Sequence, residues 1–355
     1  MKLFTCTSCQ QTVYFDSSSC TRCGADLGFV PQTISMVALG PDGRADVGRA
    51  RWRPCDHQSH GCNWLVDSAD DTGYCVSCRL NRTIPDLSVA QHLKLWQRLE
   101  QDKRRLVYSA LRLRLPIAPK SETPEGLAFD FLADREPCFN NRDWSPERVL
   151  TGHSDGLITI NIAEADPVAR ERMRSEMDEQ YRTILGHFRH ESGHYYWDRL
   201  VRDAAWITPC RDLFGDERAD YGQALQSHYE CGPPANWWER HVSAYASSHP
   251  WEDWAESWSH YLHMVDTLET AWAYGLALEP RHAGAVTMAA EPASDPYELS
   301  DFPTLISQWM PLTVALNSLN RSMGHEPAYP FALATPVIEK LAFVHRVMHE
   351  APPDH

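Results

Sequence analysis

Eight of the eleven cysteines fall before residue 80, and their spacing restricts what the start of this chain can fold into. Cys6-x2-Cys9 and Cys20-x2-Cys23 are two knuckles ten residues apart, and Cys55-x6-Cys62 with Cys75-x2-Cys78 repeats the arrangement with its first knuckle widened. Four thiolates on two turns form the donor set of a structural zinc site. His57 and His60 offer spare ligands to the wider set. Disulfides are the alternative. No apolar leader precedes Cys6, so a reducing, cytoplasmic compartment is expected, where thiolates bind metal rather than pair. A segment this small lacks a core of its own, and metal binding would supply much of its folding energy. The expectation is a β-rich zinc-ribbon module over residues 1–85 with two four-cysteine sites. Cys138, Cys210 and Cys231 are scattered and read as buried thiols.

Charge narrows the partners. The chain carries a net −15, and residues 1–90 hold eight Lys and Arg against nine Asp. Two zinc centres of four thiolates each would add further negative charge. A phosphate backbone needs a basic surface, so nucleic acid is excluded as an expected partner. No run of 18 apolar residues is present, so no membrane span is expected. A protein partner, or docking against the rest of the chain, is the remaining use for the ribbons.

The second constraint is His190-Glu191-Ser192-Gly193-His194, an HExxH motif in a helical stretch from Tyr181 to Val201. Ile184, Leu185, Phe188, Tyr195 and Leu200 give that stretch an apolar stripe. Positions i and i+4 share a helix face, so His190 and His194 can hold one Zn²⁺. Glu191 then lies where it can take a proton from a bound water. Gly193 leaves room for another element to pack closely. With 17 His in the chain, two histidines satisfied on a core helix are the plain alternative. Trp197 and Leu200 replace the Gly and third His of the extended metzincin motif, so a third ligand must come from elsewhere.

The best candidate is Ser248-His249-Pro250-Trp251-Glu252-Asp253-Trp254-Ala255-Glu256, which reads as a helix start. Glu252 and Glu256 are four apart on one face, as needed if Glu252 binds metal and Glu256 orients a ligand His. Glu217, with Asp220 on its face, is the competitor; its plain reading is a solvated helix start with an Arg218 ion pair. Tyr245 precedes Glu252 by seven residues and could donate to the oxyanion of a tetrahedral intermediate. His241, His249, His260 and His263 are alternatives for that role, most of them read as surface or supporting groups.

Elsewhere, Ser88 to Leu113 reads as a helix with Leu93, Trp96, Leu99, Leu106, Ala110 and Leu113 inward and Lys103-Arg104-Arg105 on a solvated face. Thr123 to Asp130 reads as a loop entering a strand, and Gly152 to Asp155 as a turn before a strand over Gly156–Ile162. Beside the active-site helix, that strand could hold an extended peptide by strand addition, or be plainly structural. Helices are expected over Val168–Glu179, from Pro250 to about Leu276, and over Trp309–Met323 and Pro336–His349, with a loop from Ala283 to Ser300. Trp237, Trp238, Trp251 and Trp254 could line a substrate cleft. Residues 86–355 form the expected second domain.

Taken together, CTSCQ…CTRCG, LTGHSDGLITINIAEAD, HFRHESGHYYWDRLV and SAYASSHPWEDWAESWSHYLHMVDTLETA resemble the bacterial zinc-binding metallopeptidases that carry an N-terminal zinc-ribbon domain, over nearly the whole chain. The resemblance implies an α+β protein with a mostly helical, zincin-like domain of the gluzincin kind. It implies Glu252 as third ligand, Glu256 as supporting residue and Tyr245 as transition-state donor. The expected activity is peptide-bond hydrolysis on a peptide or protein substrate, with one catalytic and two structural zinc ions. A non-catalytic interaction protein and a zinc hydrolase of non-peptide amides are the rivals.

Overall fold

A computed structural model describes residues 2–134, 149–176, 183–282 and 287–350. Cys138, Glu179, Tyr181 and the first residues of the expected 283–300 loop lie outside them. The chain is α+β, with short strands in its first half and helices in its second. It forms two compact units, Leu3–Phe188 and Arg189–His355.

In the first unit, β1 (Phe4–Thr5) pairs with β2 (Thr12–Val13), and β3 (Leu27–Val30) with β4 (Ser35–Ala38), both antiparallel. β5 (Ala45–Val47), β6 (Ala50–Pro54) and β7 (Leu65–Asp67) form a meander. Strands this short are not stable as isolated pairs. They close instead over Val30, Val37, Trp52 and Leu65 and over an aromatic group of Phe4, Phe15, Phe29 and Trp64. Helix α1 (Ala90–Arg112) completes that group, because Tyr108 meets Phe15 edge-on at 5.2 Å. The ribbons and α1 thus share one core, and the compact unit does not break where the ribbons end.

The same unit holds β8 (Asn81–Thr83), β9 (Ala128–Leu132), β10 (Gly152–Ser154) and β11 (Leu157–Asn161), followed by α2 (Pro167–Glu176). Their order is β10-β11-β9-β8. Gly152 to Ser154 is a strand and not a turn. The turn is the two-residue Asp155-Gly156, both at positive φ, which suits the twist of a hairpin. β11 pairs with β10 on one side and β9 on the other. β9 covers its whole length and β10 covers Leu157–Thr159, so most of its edge is already taken, against that expectation.

The second unit contains most of α3 (Ile184–Leu200), then α4 (Ile207–Phe214), α5 (Tyr221–Cys231), α6 (Pro250–Ala273), α7 (Phe302–Ser322) and α8 (Thr335–Glu350). Helix α6 is its axis and packs against α4, α7 and α8. It starts as a helix should: the His249 Nδ1 accepts the Trp251 N–H, Pro250 occupies the first turn, and Glu252 and Asp253 face the positive end of the helix. α7 begins earlier than expected, because Asp301 accepts the Thr304 N–H and caps a helix that tolerates Pro311 inside it. Trp254 lies wholly in the core and lines no cleft, whereas Trp238 is exposed. Among the described residues no helix is long and apolar enough to cross a membrane.

The position that fixes the α3–α6 crossing is Gly193. A Cβ there would lie 2.9 Å from Ala255 Cα and 3.2 Å from Trp258 Cβ. Two indoles secure the crossing: Trp254 Nε1 donates to the Gly193 carbonyl at 2.9 Å, and Trp258 Nε1 to Ser192 Oγ at 3.2 Å. Gly193→Val is therefore expected to cost about 1–3 kcal/mol by overpacking. It should also push α6 away from α3, so urea unfolding and zinc content should fall together. A variant with wild-type stability and zinc would refute the close-contact role.

Candidate metal centres

Three groups of metal-ligating side chains converge among the described residues: Cys6, Cys9, Cys20 and Cys23; Cys55, Cys62, Cys75 and Cys78; and His190, His194 and Glu252. In each, the ligand atoms lie within 4.8 Å of one another.

The cysteine sets carry their own geometric test. A tetrahedron with metal–sulfur bonds of about 2.3 Å has edges of about 3.8 Å, whereas a disulfide is about 2.05 Å. The Sγ atoms of Cys6 and Cys23 are 3.8 Å apart, those of Cys9 and Cys20 3.6 Å, and those of Cys62 with Cys75 and with Cys78 3.7 Å each. These spacings fit zinc and exclude disulfides. The first set is held by two similar turns, in which Gln10 N–H bonds the Cys6 carbonyl and Gly24 N–H the Cys20 carbonyl, each at 2.9 Å. The wider Cys55–Cys62 spacing loops out through a short 3-10 turn, Asp56–His60, and returns at Gly61 with φ 96°. His57 and His60 do not join the thiolates; they pack against Trp96.

One expectation is overturned here. Lys103 and Arg104 are buried, not solvated. Lys103 Nζ donates to Glu100 Oε1 at 2.7 Å, which satisfies both charges. Arg104 donates to the Gly61 carbonyl at 3.3 Å. Burial works against its charge, but Cys62, Glu100, Cys78 and Cys75 outweigh it and raise its pKa. A loaded four-thiolate centre is a buried dianion, and this guanidinium is its nearby counter-charge. Only Arg105 behaves as expected, reaching Asp16 and Asp102 at the surface. Cys210 is buried as expected, but Cys231 is exposed, because α5 buries none of its residues.

At the third group, His190 Nε2 lies 2.9 Å and His194 Nε2 3.5 Å from the same oxygen, Glu252 Oε2. That oxygen is buried yet accepts no hydrogen bond. Two imidazole nitrogens crowded onto one buried carboxylate oxygen suit a cation between them, and two imidazoles with one carboxylate are a donor set that zinc takes. The remaining groups hold this arrangement. His190 Nδ1 meets Glu256 Oε1 at 2.7 Å, and Ser243 Oγ donates to Glu256 Oε2 at 2.6 Å. Tyr221 OH donates to Glu252 Oε1 at 2.6 Å. The His194 ring lies tilted against Trp251 with centroids 3.9 Å apart. Burial disfavours charge on Glu252, but His194 and His190 hold it well below the usual carboxylate range. Glu256, by the same balance with His190, is held down to about 2.

Glu191, next to His190 on α3, is buried, and the Tyr245 ring lies 5.9 Å from His190. Burial, with Glu252, Tyr221, Tyr229 and Glu191 near it, pushes the Tyr245 phenol far up, so it keeps its proton. Glu217 is elsewhere, locked by Arg211 through bonds of 2.5 and 3.0 Å. Asp220 caps α5. The other histidines are occupied: His249 caps α6 and meets the Ala219 carbonyl, His260 Nδ1 meets Tyr329 OH at 2.6 Å, His241 meets Asp253, and His263 meets Arg189. His249 and His260 are buried rather than at the surface. Sequence reasoning missed Ser243 and Tyr221 as partners of the two glutamates. Neither belongs to a spacing pattern that could have revealed it.

The model of a family described as "putative zinc-binding metallo-peptidase" matches residues 92–347, and that of a zinc-ribbon domain matches residues 3–89. Uncharacterized proteins of Mycobacterium bovis and of two strains of Mycobacterium tuberculosis are each 42% identical over 356 residues, covering 100% of this chain and 97% of the relative. No solved structure matches.

Arg104→Met keeps the aliphatic bulk and removes the counter-charge. It is expected to cost about 3–5 kcal/mol, the range for stranding one buried charge. Urea unfolding with parallel zinc release measures this; an unchanged midpoint would show that the thiolates need no buried cation.

Proposed function

Since the chain belongs to the zinc-binding metallopeptidase family with an N-terminal zinc-ribbon domain, we propose that it is a gluzincin-like hydrolase of peptide bonds, with residues 1–85 as ribbon module and 86–355 as catalytic domain. The observation that carries this reading is the donor-free, buried Glu252 Oε2 facing two imidazole nitrogens, with the buried Glu191 next to His190 on α3. His190, His194 and Glu252 hold one catalytic zinc, and the two cysteine sets hold one structural zinc each. When bound, the catalytic ion would make a water acidic and polarise the scissile carbonyl.

The protein supplies the rest. Glu191 accepts the water's proton and passes it to the leaving amine. Tyr245, kept protonated by its surroundings, donates to the carbonyl oxygen as that atom gains charge. Glu256 fixes the tautomer and ring orientation of His190 through Nδ1, and Ser243 holds Glu256 in place. The substrate is a peptide or protein, the ribbons engage a protein partner, and the reduced cysteine sets suit a cytoplasmic location.

Glu191→Gln is expected to retain three zinc ions and to lose peptide cleavage by roughly 10²–10⁴-fold, the usual worth of a general base. Glu252→Ala should instead leave two. Metal analysis and a mixed-peptide cleavage assay on the intact chain read both. Turnover surviving in Glu191→Gln would remove Glu191 as the base, and full zinc in Glu252→Ala would remove Glu252 as a ligand.

A further inference from the structure

Helix α5 is unusual for its position. None of its residues is buried, and its half-buried residues are Ala224, Leu225 and His228. An 11-residue helix without a buried face has little stability of its own. It lies between Gly215 and Gly232, both at positive φ, and Gly215 itself rests on Pro250, the first residue of α6. Its aromatic contacts fall on the candidate site. The Tyr221 ring lies 5.2 Å from that of His249 and 5.9 Å from that of Trp251, and His228 meets Tyr245 edge-on at 6.0 Å. Trp251 is the ring against which His194 lies.

The geometry points to Tyr221 as a positioning residue for Glu252, and to α5 as a cap that this one phenol fastens to the metal site. The inference rests on the reading of Glu252 as a zinc ligand. A carboxylate offers two equivalent oxygens, and a cation can draw either or both. By donating to Oε1 at 2.6 Å, Tyr221 occupies one oxygen and leaves Oε2 directed at the two imidazoles. The bond works in both directions: it holds the ligand's orientation, and it holds α5 beside Tyr245. Opening the cap would break the bond, so access to the site and the hold on the cation are coupled.

The test compares wild type with Tyr221→Phe, which preserves the ring contacts and removes only the hydroxyl. Two readouts are taken on the full chain: the rate at which zinc is lost to a competing chelator, and hydrogen exchange of α5. Removing such an outer partner typically weakens metal binding 10–100-fold. One of three zinc ions is therefore expected to leave roughly 10–100-fold faster, with α5 exchanging faster as well. The two cysteine-bound ions should leave at the wild-type rate, whereas a merely structural role would loosen all three. If the third ion leaves both proteins at the same rate, or if α5 exchange is unaltered, Tyr221 does not fasten the cap and the inference is overturned. Wild type holding only two zinc ions would instead remove the Glu252 reading and this inference with it.

Discussion

The proposed chemistry depends on how closely two helices can cross. HExxH on α3 presents two imidazoles on one face, but a face with two ligands is not a site. The third candidate ligand comes from α6, and it arrives because Gly193 has no side chain where Ala255 and Trp258 press against α3. The Trp254 and Trp258 indoles then bond to the Gly193 carbonyl and the Ser192 hydroxyl, so the same turn that carries the ligands is clamped from the opposite helix. One glycine and two tryptophans set the register in which Glu252 and Glu256 each find His190.

Charge compensation is the second theme. The chain is strongly acidic, yet several of its buried negative groups are met by a specific positive group. Glu252 and Glu256 face histidines, Asp253 faces Lys340 at 2.5 Å, and the second thiolate set faces Arg104. A buried charge without such a partner would cost several kcal/mol, so these pairings are conditions for folding as much as for metal binding. This explains why Lys103 and Arg104, hydrophilic by type, lie inside the first unit. Their helix face adjoins thiolates and Glu100 rather than water.

What the sequence made legible was local periodicity. The i,i+4 pairs His190/His194 and Glu252/Glu256 sit on single helices, and a period of 3.6 puts each pair on one face before any tertiary structure is known. The CxxC knuckles are legible for the same reason, and so were the helices Ala90–Arg112, Pro250–Ala273 and Thr335–Glu350. Contacts between distant segments were not legible. Arg104 lies far from Cys62 in the chain, and the direction its face takes is set by packing. β11 looked like a free strand because alternation reports a strand's faces, never whether its edges are taken. Cys231 looked like a buried thiol because cysteine usually is one, but its helix has no core to enter.

Tyr221 and Ser243 mark the boundary of what such patterns can reveal. Each is a hydroxyl donating to the outer oxygen of a glutamate whose inner oxygen faces a histidine. The chemistry is the same in both, yet one donor comes from the loop before α6 and the other from α5. No spacing links them, because the requirement they meet is created only when the carboxylates are buried. A buried carboxylate with one oxygen aimed at an imidazole must satisfy the other, and any nearby hydroxyl will serve. The ligand set is thus written in helical repeats, while its supports are recruited by the folded surroundings. That is why the supports have to be sought in coordinates, and why one of them can belong to a helix with no other visible reason to be there.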